Sequence, residues 1–132
     1  MPRAYAVVTD TGVAIGAEHA PSCPHLVEQH NDQAYCQRSR ESAGVAEHDV
    51  ELAFDAATSA IEPWWRRAWT WLRCTHTWSH DGSMHHHFEG GYCFLWIELT
   101  VPREGLREAA AAAARQYLAS RGYALTDTRL CS

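Results

Sequence analysis

Residues 88–121 read FEGGYCFLWIELTVPREGLREAAAAAARQYLASR, a β-prone run that passes through Pro102 into an alanine-rich one. The second half predicts a helix from Arg103 to Arg121. Alanine has the best intrinsic helix propensity, Pro102 stands near the start, and Gly122 follows the end. Leu106, Ala110, Ala113, Ala114, Tyr117 and Leu118 form one apolar stripe whose small central residues suit a close approach to a sheet. The first half predicts a strand from Phe88 to Val101, with Gly90-Gly91 as a bulge within it.

Working outward, Arg67 to Trp78 is rich in Trp and Thr and is also strand-like. A polar stretch with Asp81-Gly82 separates the two runs, so a hairpin is expected. Setting Cys74 opposite Cys93 also sets Leu72 against Leu95 and Trp71 against Trp96, like with like. Leu72, Cys74 and His76 then share a face with Cys93 and Leu95. Upstream again, Val50, Phe54, Ala57 and Ile61 recur at helical spacing over 48–61, and Pro63 ends that helix. At the N-terminus, 4–8 and 13–17 flank the turn Thr9-Asp10-Thr11-Gly12, which reads as a hairpin. Tyr123 to Leu130 alternates as a last strand. Residues 18–44 hold two prolines and little periodicity, which predicts a loop-rich insertion with a short helix near Leu26–Ala34. The elements give an α+β fold in a single domain over 1–132. It is a ferredoxin-like β-α-β-β-α-β sandwich with an N-terminal hairpin and the insertion at about 18–44.

Composition bounds the function. The chain has 132 residues, 46% hydrophobic and 20% charged, the balance of an ordinary globular domain. Net charge is −5 with no basic block, which disfavours nucleic acid as the main partner, because phosphate contacts demand a basic stripe. All 11 basic residues are Arg, so Schiff-base chemistry on Lys is excluded. No window approaches the ~18 continuous apolar residues of a spanning helix, so no membrane is expected. The first residues do not read as a signal peptide, and the five cysteines are an odd number. A cytoplasmic protein with thiols or metal ligands is expected, in place of a disulfide framework.

Four groupings could carry chemistry. His19, Cys23, His25 and Cys36, with His30 between, have the residue types and loop setting of a structural zinc site. Ser39 stands where a second Cys-x-x-Cys thiol would, so ordinary loop residues are the competing reading. Cys74, His76 and Cys93 form a possible second metal or thiol cluster, with His80 and His87 nearer the turn. Core packing of the cysteines is the alternative there. His85-His86-His87 beside a turn can take up a transition metal adventitiously. Trp64, Trp65, Arg66 and Arg67 head a Trp-rich run whose residue types anchor protein interfaces. Trp69, Trp71, Trp78 and Trp96 either join that surface or fill the space above the sheet.

No phosphate loop, nucleophile elbow or His-Glu-x-x-His motif occurs. The leading expectation is therefore a binding or adaptor module with a Trp/Arg-rich surface for a protein partner or a second copy, stabilised by zinc. A small metal-dependent or dimeric enzyme with a Cys/His site near a Trp-lined pocket is the alternative. A structural component of a larger assembly, such as a viral particle, comes third.

Overall fold

A computed structural model describes residues 2–19, 33–62, 78–79, 84–89 and 92–130. The N-terminal hairpin forms as its pattern predicts. Strand β1 (Arg3–Val8) pairs antiparallel with β2 (Gly12–His19), Ala4 opposite Ala17 and Val8 opposite Val13. Gly12 closes the turn, donating its N–H to Thr9 Oγ1 at 3.0 Å. A Cβ on Gly12 would lie 1.8 Å from the carbonyl oxygen of Leu99, so no other residue fits there.

Helix α1 (Gln33–Ile61) starts well before the predicted 48–61. The region 18–44 is therefore less loop-rich than expected: His19 still belongs to β2 and Gln33 already belongs to α1. The core stripe Ala46, Val50, Ala53, Phe54, Ala57 and Ile61 explains why the later part was legible, since only there does apolar spacing mark a buried face. Strands β3 (His85–Glu89) and β4 (Tyr92–Thr100) follow, then helix α2 (Glu104–Ser120) and a two-residue strand β5 (Ala124–Leu125). Gly122 sits at φ +91°, and the Tyr123 N–H reaches the Leu118 carbonyl at 3.2 Å, so α2 ends in a left-handed glycine cap.

The fold is α+β, with one mixed sheet in the order β3-β4-β2-β1-β5 and both helices packed on one of its faces. The ferredoxin-like strand order is not what forms. β1, expected as part of an appended hairpin, lies inside the sheet between β2 and β5. It pairs antiparallel with β2 and parallel with β5. The last strand is shorter than Tyr123–Leu130. After Leu125 the Thr126 hydroxyl bonds the Thr128 carbonyl, and Arg129 Nη1 reaches Glu98 of β4 at 2.9 Å. The chain thus leaves the edge of β1 and crosses beneath the sheet.

The predicted hairpin is also corrected. Residues Cys93 to Trp96 of β4 face β2 on one side and β3 on the other, so neither edge is left for 71–74. Cys93 stands opposite Phe88, Leu95 opposite His86, and Trp96 opposite His85. Glu89 pairs with Tyr92, making 88–101 two antiparallel strands where one bulged strand was expected. The triple His lies within β3 and not in a turn. Ala4, Ala6, Val13, Ile15, Ala17, Leu95, Ile97 and Leu99 point to the helices and are buried with Ala110, Ala111, Ala114 and Leu118 of α2.

Candidate functional site

Alternation sends the other half of the strand residues to the face away from the helices. One row across it runs Tyr5, Gly16, Trp96, His85, each opposite the next. The neighbouring row holds Glu18 opposite Phe94 and Phe94 opposite His87, with Arg3 beside Glu18 on β1. A third row holds Val7, Ala14 and Glu98. Gly16 makes the first row possible: a Cβ there would lie 2.5–2.6 Å from the Tyr5 ring and hydroxyl, so the tyrosine lies flat over the glycine. His85 and Trp96 stack with centroids 5.1 Å apart and planes 21° from parallel. Both are half-buried, whereas Tyr5 and Phe94 are buried. Glu18 is 6% exposed and accepts hydrogen bonds from Arg3 Nε and Nη2 at 3.1 and 2.5 Å. The imidazole–indole stack thus stands next to a buried carboxylate paired with Arg3.

Two more buried carboxylates lie on or just after α1, and each ties the helix to another element. Asp49, 3% exposed, accepts from Arg121 Nε at 2.9 Å and from the Tyr123 hydroxyl at 2.7 Å. Burial, and then the bond to Asp49, push the Tyr123 phenol above its ordinary range. The separate hydrogen bond that Arg121 donates to Asp49 raises the Arg121 guanidinium. Glu62, just past α1, accepts from the Trp78 indole N–H, and Trp78 meets Phe54 edge-on at 5.5 Å and 87°. Ser79 bridges to Thr100, which fixes this corner against the end of β4.

The predicted site residues fare unevenly. His19 is the last residue of β2, Cys36 lies in the first turns of α1, and Cys93 is the second residue of β4. Cys23, His25, His30, Trp64, Trp65, Arg66, Arg67, Cys74, His76 and His80 lie outside the described residues. Among the described side chains, no group of three or more His, Cys, Asp or Glu is placed to hold a metal ion. One unforeseen meeting occurs: His19, from the first predicted cluster, stands directly opposite Cys93, from the second. Sequence reasoning passed over Tyr5, Gly16 and Glu18. Their signal was the even-numbered series Gly12, Ala14, Gly16, Glu18, small residues ending in a charge on one face of a strand. Among the described residues, no helix is long and apolar enough to cross a membrane.

No known protein family matches this chain, and no curated protein or solved structure shows a match to it.

Proposed function

We propose that the chain is a binding or adaptor module that docks an extended protein segment along β3, with the His85–Trp96 stack gripping it from the side. The observation that carries this reading is the position of β3. It is the outermost strand on its side of the sheet among the described residues, and an outer strand's free backbone groups template another strand. The segment that suits this edge best is a second copy of β3. Antiparallel pairing centred on His87 sets His85 opposite Glu89 of the other copy, twice by symmetry, and His86 opposite Phe88. A histidine–carboxylate pair and an aromatic pair then fall at the cross-strand positions of the proposed ladder. Trp64, Trp65, Arg66 and Arg67 keep their place in this proposal as interface anchors on residue type alone.

Sedimentation velocity over a concentration series tests it. The expected result is a reversible dimer that Glu89→Lys weakens roughly tenfold, since two symmetric pairs worth roughly 0.2–1 kcal/mol each are lost. A chain that stays monomeric throughout, or a dimer indifferent to Glu89→Lys, removes the β3 reading.

A further inference from the structure

The C-terminal chain has a place on the sheet edge that it does not take. β5 pairs with β1 in parallel, Arg3 with Ala124 and Ala4 with Leu125, and the Thr126 N–H still reaches the Ala4 carbonyl at 2.9 Å. That bond shows that the backbone polar groups of Ala4 face this edge, and alternation puts those of Ala6 and Val8 on it as well. Among the described residues, no strand lies beside Ala6 to Val8 here, and Val8 is 44% exposed. Arg115 Nη1 caps the Ala6 carbonyl at 2.9 Å. From Thr126 on, the sequence keeps the alternation of a strand, yet the chain turns away. The Thr126 hydroxyl donates to the Thr128 carbonyl at 2.9 Å, and Arg129 reaches across to Glu98.

We propose that Thr126 to Leu130 is a two-position strap. Crossed, as in this structure, it covers the Val7–Ala14–Glu98 row and leaves the β1 edge to Arg115. Zipped, it extends β5 along β1 and uncovers that row. The continued register sets Thr126 beside Tyr5, Asp127 beside Ala6, Thr128 beside Val7 and Arg129 beside Val8. In that parallel ladder the Ala6 N–H donates to the Thr126 carbonyl, and the Thr128 N–H takes the Ala6 carbonyl that Arg115 now caps. Asp127 falls on the face of Ala4 and Ala6, toward α2, where its carboxylate receives the displaced Arg115 guanidinium. The Arg129 stem comes to lie along exposed Val8. The crossed position is held loosely by comparison. Its ion pair with Glu98 is exposed, and Arg129 Nε is buried with no hydrogen-bond partner among the described residues. The strap thus exposes either a sheet face or a sheet edge, and the edge is the surface that templates foreign strands. It acts at β1 and stands independently of docking at β3.

Nitrogen relaxation-dispersion and saturation-transfer NMR on the full-length chain tests this, because both detect a minor conformer in exchange with the major one. The amides of Ala6, Val8, Thr128 and Leu130 are expected to report one shared process, with the minor-state protons of Ala6, Val8 and Thr128 shifted downfield as hydrogen bonding requires. Glu98→Lys removes the ion pair and sets a like charge against Arg129. The minor share is expected to rise by about threefold to fivefold, the scale of an exposed ion pair. Asp127→Asn, which denies Arg115 its new partner, is expected to lower the share. Thr128→Pro lacks the N–H that would take the Ala6 carbonyl but keeps the carbonyl that Thr126 bonds, and is expected to abolish the exchange. Far-UV circular dichroism checks that each variant folds. Exchange that persists in Thr128→Pro, or minor-state shifts of a random coil, means that the segment only frays and overturns the zipped position. So does an absence of exchange at Ala6 and Val8 in both the parent and Glu98→Lys, or a minor share indifferent to Glu98→Lys and Asp127→Asn alike.

Discussion

Two glycines of β2 face obstacles of different stiffness, and the difference predicts their sensitivity. At Gly16 an added Cβ meets the Tyr5 ring, a side chain able to turn at some loss of packing. At Gly12 it meets the backbone of Leu99 and Val101, which cannot turn. Gly16→Ala is expected to cost about 1–3 kcal/mol, as overpacking usually does, and Gly12→Ala to cost more. Urea unfolding of both variants checks the order, and the reverse order would show that Tyr5 is the more rigid neighbour. Tyr123 supplies a second residue-scale prediction. Tyr123→Phe deprives the buried Asp49 carboxylate of one donor, so a loss of about 1.5–3 kcal/mol is expected near neutral pH. Because the fold holds the phenol protonated, its contribution is complete below the unfolded value of about 10 and is lost as pH rises from there toward the higher folded value. The parent's stability should therefore fall more steeply above pH 10 than that of Tyr123→Phe. Parallel curves would refute the linkage. None of these partnerships was legible in the sequence: Asp49 and Tyr123 are 74 positions apart, and periodicity carries no information about which distant donor meets a buried carboxylate.

At the scale of elements, legibility followed burial. α2 was read to within a residue at each end because alanine propensity, Pro102 and Gly122 all agree. In α1 the part over 48–61 was read from Val50, Phe54, Ala57 and Ile61, while its first turns, rich in Gln, Arg and Ser, show no such stripe. Gly44 sits inside that helix, exposed, with nothing within 4 Å of where a Cβ would stand. Gly44→Ala is therefore expected to stabilise by about 0.5–1 kcal/mol through the backbone entropy it removes. A rise in Tm with unchanged oligomeric state checks this, and a fall would mean that the helix is not continuous through that residue. β5 was over-read for a related reason. Alternation over Tyr123–Leu130 satisfies a strand pattern, but only Ala124 and Leu125 enter the ladder with β1, and a last bond runs from the Thr126 N–H to the Ala4 carbonyl. Beyond them Arg115 of α2 donates to the Ala6 carbonyl at 2.9 Å, so a guanidinium occupies an edge that a longer β5 would have paired.

For the whole molecule, the α+β class followed from element order, while the sheet order did not, because nothing local says that β1 enters between β2 and β5. The hairpin register failed in the same way. Matching Cys74 to Cys93 and Leu72 to Leu95 is a local criterion, and β4 answers instead to β2, whose Ala17 and Ile15 must share a buried face with Leu95 and Ile97. The crossing of the C-terminal segment is a further consequence of topology. It leaves β5 at one edge and brings Arg129 to Glu98 of β4, on the face where Ala14 is fully buried. Its anchor is weak taken alone, since the Glu98 side chain is 56% exposed and an exposed ion pair contributes about 0–1 kcal/mol. Arg129→Ala is accordingly expected to change stability by less than about 1 kcal/mol. Ending the chain after Leu125 uncovers the Val7–Ala14–Glu98 row as well, and is expected to cost about 1–3 kcal/mol, the scale of exposing one apolar side chain. Urea unfolding of the two variants separates the contributions. If truncation costs no more than Arg129→Ala, the segment covers nothing and the ion pair is its whole role. If it costs the larger amount and raises binding of a hydrophobic dye, the segment acts as part of the second layer of the fold.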